Sequence, residues 1–293
     1  MPSENELFPA EFLTGLHALQ IAARRVPAGG RPAEQASRAR GAGIELSDSR
    51  PYAAGDEFRA IDWRAWQRLD RLFVRVFHED RDLPLYFLID RSASMRAAAK
   101  DRSAMQALAA LAAVALQQLD RIAVFPFAQA PLLPLPGTSG KGGLGRLLTY
   151  LERLPSGTGT GLVEQLESFA TRRLRRGLCV LVSDLYDPRG LQSVLEVLTR
   201  VRHRMLLVRP VARDEARPDL HGEVEVQDCE TGETLALTVD AALLDRYEAA
   251  YRAFERDLAT FATSRGMGTL QVATDQPVLP QIASLFPSGV FAT

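Results

Sequence analysis

The sequence predicts an α/β fold built on a doubly wound, mostly parallel sheet, and three observations predict it. From Leu83 onward, short apolar runs alternate with longer segments of helical periodicity, the pattern of strand–helix–strand units. Two of the runs, Leu85-Tyr86-Phe87-Leu88-Ile89 and Leu178-Cys179-Val180-Leu181-Val182, are continuously apolar, as in strands covered on both faces. The composition is that of a chain with a core: 293 residues, 46% hydrophobic and 24% charged. These values exclude a disordered chain, a coiled coil and a collagen-like repeat.

In chain order, Phe8 to Val26 places Phe8, Phe12, Leu16, Leu19 and Ala23 at helical spacing, predicting a leading amphipathic helix. Pro27 to Pro32 ends it. Between Asp48 and Asp82 stand seven arginines and eight acids in 35 residues, together with both tryptophans. That much aromatic mass argues for a small folded element with internal ion pairs rather than a solvated charge run; residues 72–77 read as its strand. The alternation then runs: strand Leu85–Ile89, helix Asp101–Leu119, strand Arg121–Phe127, and a short edge strand at Pro131–Pro136, where proline is tolerated. Helices follow at Leu144–Leu154 and Leu162–Leu174, then strand Leu178–Val182, helix Leu191–Val201 and strand Met205–Val208. Residues 223–226 and 234–239 flank Glu230-Thr231-Gly232-Glu233 as a hairpin insertion near 222–239. Helix Ala241–Ser264, strand Leu270–Ala273 and helix Val278–Leu285 close the chain. Three segments result: a helix and linker (1–36), a charged and aromatic subdomain with β content (37–82), and the α/β domain (83–293).

The charge arithmetic narrows function. Thirty-five basic and 36 acidic side chains leave a net charge of −1, which disfavours a general nucleic-acid binder. Only Lys100 and Lys141 are lysine, so guanidinium groups carry nearly all the positive charge. Met1–Glu6 lacks the features of a signal peptide, and Ala104–Leu116 is too short for a membrane span. Cys179 and Cys229 have no CxxC partner. A cytoplasmic, reduced protein is expected.

In open α/β sheets, ligands bind at the carboxyl ends of the strands. Asp90-Arg91-Ser92-Ala93-Ser94 follows the first buried run and Ser183-Asp184 follows the second. Between them lies Ser156-Gly157-Thr158-Gly159-Thr160-Gly161-Leu162, just before a helix. Carboxylates and hydroxyls alone suit a hard cation such as Mg²⁺ or Mn²⁺; single segments of this kind are also ordinary caps and turns.

The three segments resemble the metal-ion-dependent adhesion site of von Willebrand factor type A domains: an Asp-x-Ser-x-Ser loop, a distant threonine and a later aspartate. Asp90, Ser92 and Ser94 match the loop, Thr160 the threonine (Thr158 the alternative) and Asp184 the aspartate. The family often has Thr-Asp-Gly where this chain has Ser183-Asp184-Leu185. The resemblance implies a type A-like fold and a cation that accepts a carboxylate from a partner protein. A second resemblance covers residues 37 onward. Arg50, Tyr52, Gly55, Asp56, Arg59, Asp62 and Trp63 are similar to the signature block of the bacterial "domain of unknown function 58" family. It implies work alongside a MoxR-type AAA+ ATPase. The block reads as an ion-pair network around Trp63 or as a docking surface.

Enzyme motifs fail. Gly137–Gly142 lacks the glycine and hydroxyl positions of a phosphate loop. GxSxG and HExxH are absent, and Gly157-x-Gly159-x-Gly161 is not GxGxxG. The expectation is a non-enzymatic, cation-dependent interaction module; the alternatives are a metal-dependent hydrolase on the same rim and a metal-free scaffold.

Overall fold

The computed structural model describes residues 6–25, 49–51, 73–75, 84–117, 121–140, 142–157 and 159–285. By its contacts the chain forms two units, residues 1–27 with 83–292, and residues 28–82 with 293. Chain order therefore starts in the larger unit with helix α1 (Ala10–Arg25). In the smaller unit, β1 (Ser49–Pro51) pairs antiparallel with β2 (Phe73–Arg75), Arg50 opposite Val74. The strand expected at 72–77 is thus present as 73–75. Tyr52, Gly55, Asp56, Arg59, Asp62 and Trp63 lie outside the described residues.

The larger unit continues with β3 (Leu85–Asp90), a 3₁₀ segment (Ser94–Ala99) and α2 (Lys100–Gln117). Then come β4 (Ile122–Phe127), β5 (Leu135–Thr138), α3 (Gly143–Glu152), α4 (Leu162–Ala170) and β6 (Leu178–Val182). Next are α5 (Leu191–Leu198), β7 (Arg204–Val211), the single turn α6 (Arg213–Ala216), β8 (Gly222–Gln227) and β9 (Thr234–Val239). The last are α7 (Ala241–Ser264), β10 (Gly268–Ala273) and α8 (Val278–Ala283). Among the described residues the central sheet has six strands in the order β10-β7-β6-β3-β4-β5, parallel except for β5. The expected α/β class, doubly wound and mostly parallel, is what the chain adopts.

Alternation along β3 shows why the sheet is covered twice. Leu85, Phe87 and Ile89 enter one core, with α1, α2, α3 and α8. Tyr86 and Leu88 enter the other, with α4, α5 and α7. Successive side chains of a strand point to opposite faces, so a run with no polar position needs two apolar layers. Helix α2 is enclosed as well. Ala104, Ala107, Ala109, Ala110, Ala112 and Ala113 are fully buried, and the helix touches β7, α1, α3 and α8. Alanine keeps its sides thin enough to be packed all round. The leading helix accordingly belongs with the sheet unit: Phe8, Phe12, Leu16 and Leu19 are buried in its core.

One strand moved. The edge strand expected at Pro131–Pro136 is β5 at Leu135–Thr138, antiparallel to β4; residue 131 makes only an isolated bridge to Phe127. The prolines at 131 and 134 have no N–H to donate to a ladder. The hairpin lies where expected, with Gly222 opposite Val239.

Chain order and sheet order place the site. From β3 the chain adds β4 and β5 on one side, then crosses to add β6, β7 and β10 on the other. The reversal lies between β3 and β6, and the crevice at their carboxyl ends is the topological switch point.

Candidate functional site at the switch point

Asp90 is the last residue of β3 and is 1% exposed. Its Oδ1 accepts the Ser92 N–H at 2.9 Å and its Oδ2 accepts the Ser183 hydroxyl at 2.7 Å. Burial, and next the charge of Asp184, push its pKa up to about 6. The hydroxyls of Ser92 and Ser94 lie 3.0 Å apart. The Asp-x-Ser-x-Ser loop thus gathers one carboxylate and two hydroxyls, as its spacing predicts.

Asp184 follows β6 and is fully buried. Its Oδ1 accepts the Tyr186 N–H at 3.3 Å, and its Oδ2 accepts a bond from Lys100 Nζ at 3.1 Å. Lys100 opens α2 and also pairs with Glu215. Burial alone would lower the pKa of this ammonium, but Asp184 and Glu215 outweigh burial and raise it. Arg209, another buried cation, pairs with Glu255. The inner site therefore sets Asp184 and Glu215 against the ammonium of Lys100, with Asp90 beside them and the guanidinium groups of Arg209 and Arg91 acting at longer range on Glu215 and Asp90.

The glycine and threonine loop reaches the same rim. Gly157 donates its N–H to the carbonyl of Arg91 at 2.8 Å. The buried Arg91 guanidinium holds the approach to the loop: Nε donates to Pro155 O at 3.2 Å, and Nη2 to Leu154 O at 3.2 Å and Ser156 Oγ at 3.0 Å. Its other arm pairs with Asp101. Burial lowers its pKa to about 10, so it stays charged at neutral pH. A side chain at Gly157 would put its Cβ 2.2 Å from Ala128 Cβ; this glycine serves close approach to the end of β4. Thr160 is half-buried beyond this fastening, and its hydroxyl has no hydrogen-bond partner among the described residues. Thr158 lies outside them.

Backbone conformation is unusual on both strands' exits. Leu185, directly after Asp184, has φ 65°, and Ala98 and Ala99 have φ 49° and 59°. Left-handed backbone costs a residue with a side chain roughly 1–2 kcal/mol. Leu185 adopts it where the family pattern often has glycine, and it is buried at 1% exposure, so apolar packing offsets the strain.

Four contributors were not singled out from the sequence. Lys100 had a signal, as one of two lysines among 35 bases. Ser183 was visible as a hydroxyl after the second buried run, without an assigned role. Glu215 sits in a short turn with no motif. Glu230, in the turn of the β8–β9 hairpin, accepts the N–H of Ser94 through Oε1 at 2.8 Å, and its Oε2 is buried without a hydrogen-bond partner among the described residues.

No three His, Cys, Asp or Glu side chains among the described residues gather closely enough to hold a metal. A cation here would depend on the hydroxyls of Ser92, Ser94 and Thr160 as well as the carboxylates. The donor chemistry and the buried negative excess fit a hard divalent ion.

The family model "Protein of unknown function DUF58" matches residues 48–257. The chain belongs to the DUF58 family. An uncharacterized protein of Mycobacterium tuberculosis is 28% identical over 260 residues, covering 85% of this chain and 80% of that protein. An uncharacterized Mycobacterium avium protein is 31% identical over 144 residues, 49% of this chain and 84% of that one. Among solved structures, the conserved hypothetical protein BatB from Bacteroides thetaiotaomicron aligns at 14% identity with a TM-score of 0.42, over 72% of this chain and all of that one. This DUF58 chain has no helix among its described residues long and apolar enough to cross a membrane.

Proposed function

We propose that this DUF58 chain is a non-enzymatic, divalent-cation-dependent protein-interaction module, an adaptor acting in the cytoplasm with a MoxR-type AAA+ ATPase. The observation that carries this reading is the charge imbalance at the switch point. Asp184 and Glu215 share the ammonium of Lys100. Asp90, whose pKa the charge of Asp184 helps to raise, makes no ion pair among the described residues and stands beside two hydroxyls 3.0 Å apart. Uncompensated charge is costly to bury, and a divalent cation offsets it. Ser92, Ser94 and Thr160 would hold Mg²⁺ or Mn²⁺ with Asp90 and Asp184. Once bound, the ion supplies an electrophilic position for a partner's carboxylate. The ATPase partner rests on the family resemblance.

The test is a pull-down of the ATPase by wild type and by the Asp90→Ala/Ser92→Ala double variant, with and without EDTA. Capture should fall at least tenfold in the variant, and EDTA should reproduce that loss in wild type. Capture indifferent to both treatments would sink the reading.

A metal-dependent hydrolase is the second reading, favoured by the Asp90 pKa near 6, within the range of a general base. Against it, both Asp90 oxygens are already engaged, by the Ser92 N–H and the Ser183 hydroxyl. Turnover of phosphoesters with Mg²⁺ or Mn²⁺, abolished in Asp90→Asn, would favour it.

A further inference from the structure

We propose that Glu230 is an internal acidic ligand of the Asp-x-Ser-x-Ser loop, and that the β8–β9 hairpin gates this site by occupying the place of a partner's carboxylate. The inference rests on the reading of the rim as a carboxylate-accepting site and adds its regulation.

Glu230 and Ser94 are 136 residues apart in sequence, yet a carboxylate oxygen of one accepts the backbone N–H of the other at 2.8 Å. The hairpin is mostly exposed along both strands, so a large apolar core does not drag the tip into place. The tip is shaped beforehand. Asp228 Oδ1 accepts the N–H groups of Glu230 and Thr231 at 2.7 and 3.0 Å. Asp228 N donates to Glu233 O and Gly232 N to Asp228 O, both at 2.8 Å. Gly232 turns the chain at φ 76°. A pre-formed turn spends little conformational entropy on presenting its carboxylate.

Charge argues that the contact is functional. The tip places the carboxylate of Glu230 on a rim that already encloses more carboxylates than ammonium groups. Packing stability alone gives no reason to add acid there. The second oxygen, Oε2, is sealed from solvent with no partner among the described residues, an arrangement that is costly for a carboxylate. It is an acceptor held at the rim with capacity to spare. A ligand in cis acts at high effective concentration and competes with one in trans, so acidic partners engage only when the tip lifts.

The test compares wild type, Glu230→Gln and Glu233→Gln by hydrogen exchange at residues 226–235, in EDTA and in excess Mg²⁺. It also measures binding of a synthetic peptide of residues 226–235 supplied in trans with Mg²⁺. Glu233→Gln makes the same charge change without touching Ser94. In Glu230→Gln the tip amides should exchange about tenfold faster in EDTA, the loss of one charge-assisted hydrogen bond. That variant should bind the peptide at least tenfold more tightly than wild type, and a peptide carrying Glu230→Gln should not bind. Glu233→Gln should behave as wild type. Equal tip exchange in wild type and Glu230→Gln overturns the proposal whatever the metal does. Faster exchange with no gain in peptide binding also overturns it, because the tip then docks without gating. A peptide gain that persists in EDTA supports the gate and instead removes the cation from the reading of the site.

Discussion

Asp90 shows how one buried group sets a pH dependence. Its pKa in the folded chain is near 6, against 3.8 for the free side chain. The folded state binds this proton more tightly than the unfolded state does. Its stabilising contribution is therefore full below pH 4 and is lost as pH rises through 6, by an amount on the order of 3 kcal/mol. Asp90→Asn does not titrate. Measured by urea unfolding in EDTA, wild type should lose stability relative to Asp90→Asn between pH 4 and 7, on top of a constant offset from the altered hydrogen bonds. A flat difference across that range would show that Asp90 ionises freely. The sequence placed Asp90, Ser92, Ser94 and Asp184 correctly at strand exits, because an apolar run followed by acid and hydroxyl marks a strand's carboxyl end. It could not pair Asp184 with Lys100, since the helix that begins at Lys100 reaches Asp184 only through the packing of α2 on the sheet. Glu230 was equally out of reach: a turn in a hairpin carries no information about what the turn rests on.

Strands and helices were legible to the degree that their own periodicity decided them. β3, β6, the hairpin and α7 lie within one or two residues of expectation, since both-face burial and strict alternation leave little choice. β5 moved by four residues at its start because a run rich in proline does not say which of its residues pair. The glycine and threonine loop has a role that spacing alone did not disclose. Gly157 is small so that the loop can lie against Ala128, with its N–H on Arg91. Gly157→Val should force the loop off β4 and carry Thr160 with it. Titration calorimetry should then show Mg²⁺ affinity reduced at least tenfold, with unfolding stability reduced by about 1–3 kcal/mol. Unchanged Mg²⁺ affinity would remove Thr160 from the cation set.

For the whole molecule, the division into units departs from chain order. Residues 28–82, which follow α1 and precede the sheet in sequence, form their own unit, while α1 belongs to the unit of the sheet. Helices α1 and α8 touch each other and both pack on α2; Gly15 lies so close to Leu279 that a side chain at Gly15 would collide with it. Leu16→Ala, at a position 2% exposed, should lower stability by about 3 kcal/mol. It should also speed hydrogen exchange in residues 278–285 more than in β3 or β6; uniform acceleration would show that the two helices do not form a joint closure. This meeting of first and last helices bears on how the protein is made. A ribosome adding about 5–20 residues per second releases the apolar face of α1 tens of seconds before α8 exists to cover it. In that interval Phe8, Phe12, Leu16 and Leu19 are surface for whatever binds nascent chains. Synthesis from the amino end leaves this packing open until α8 has left the ribosome.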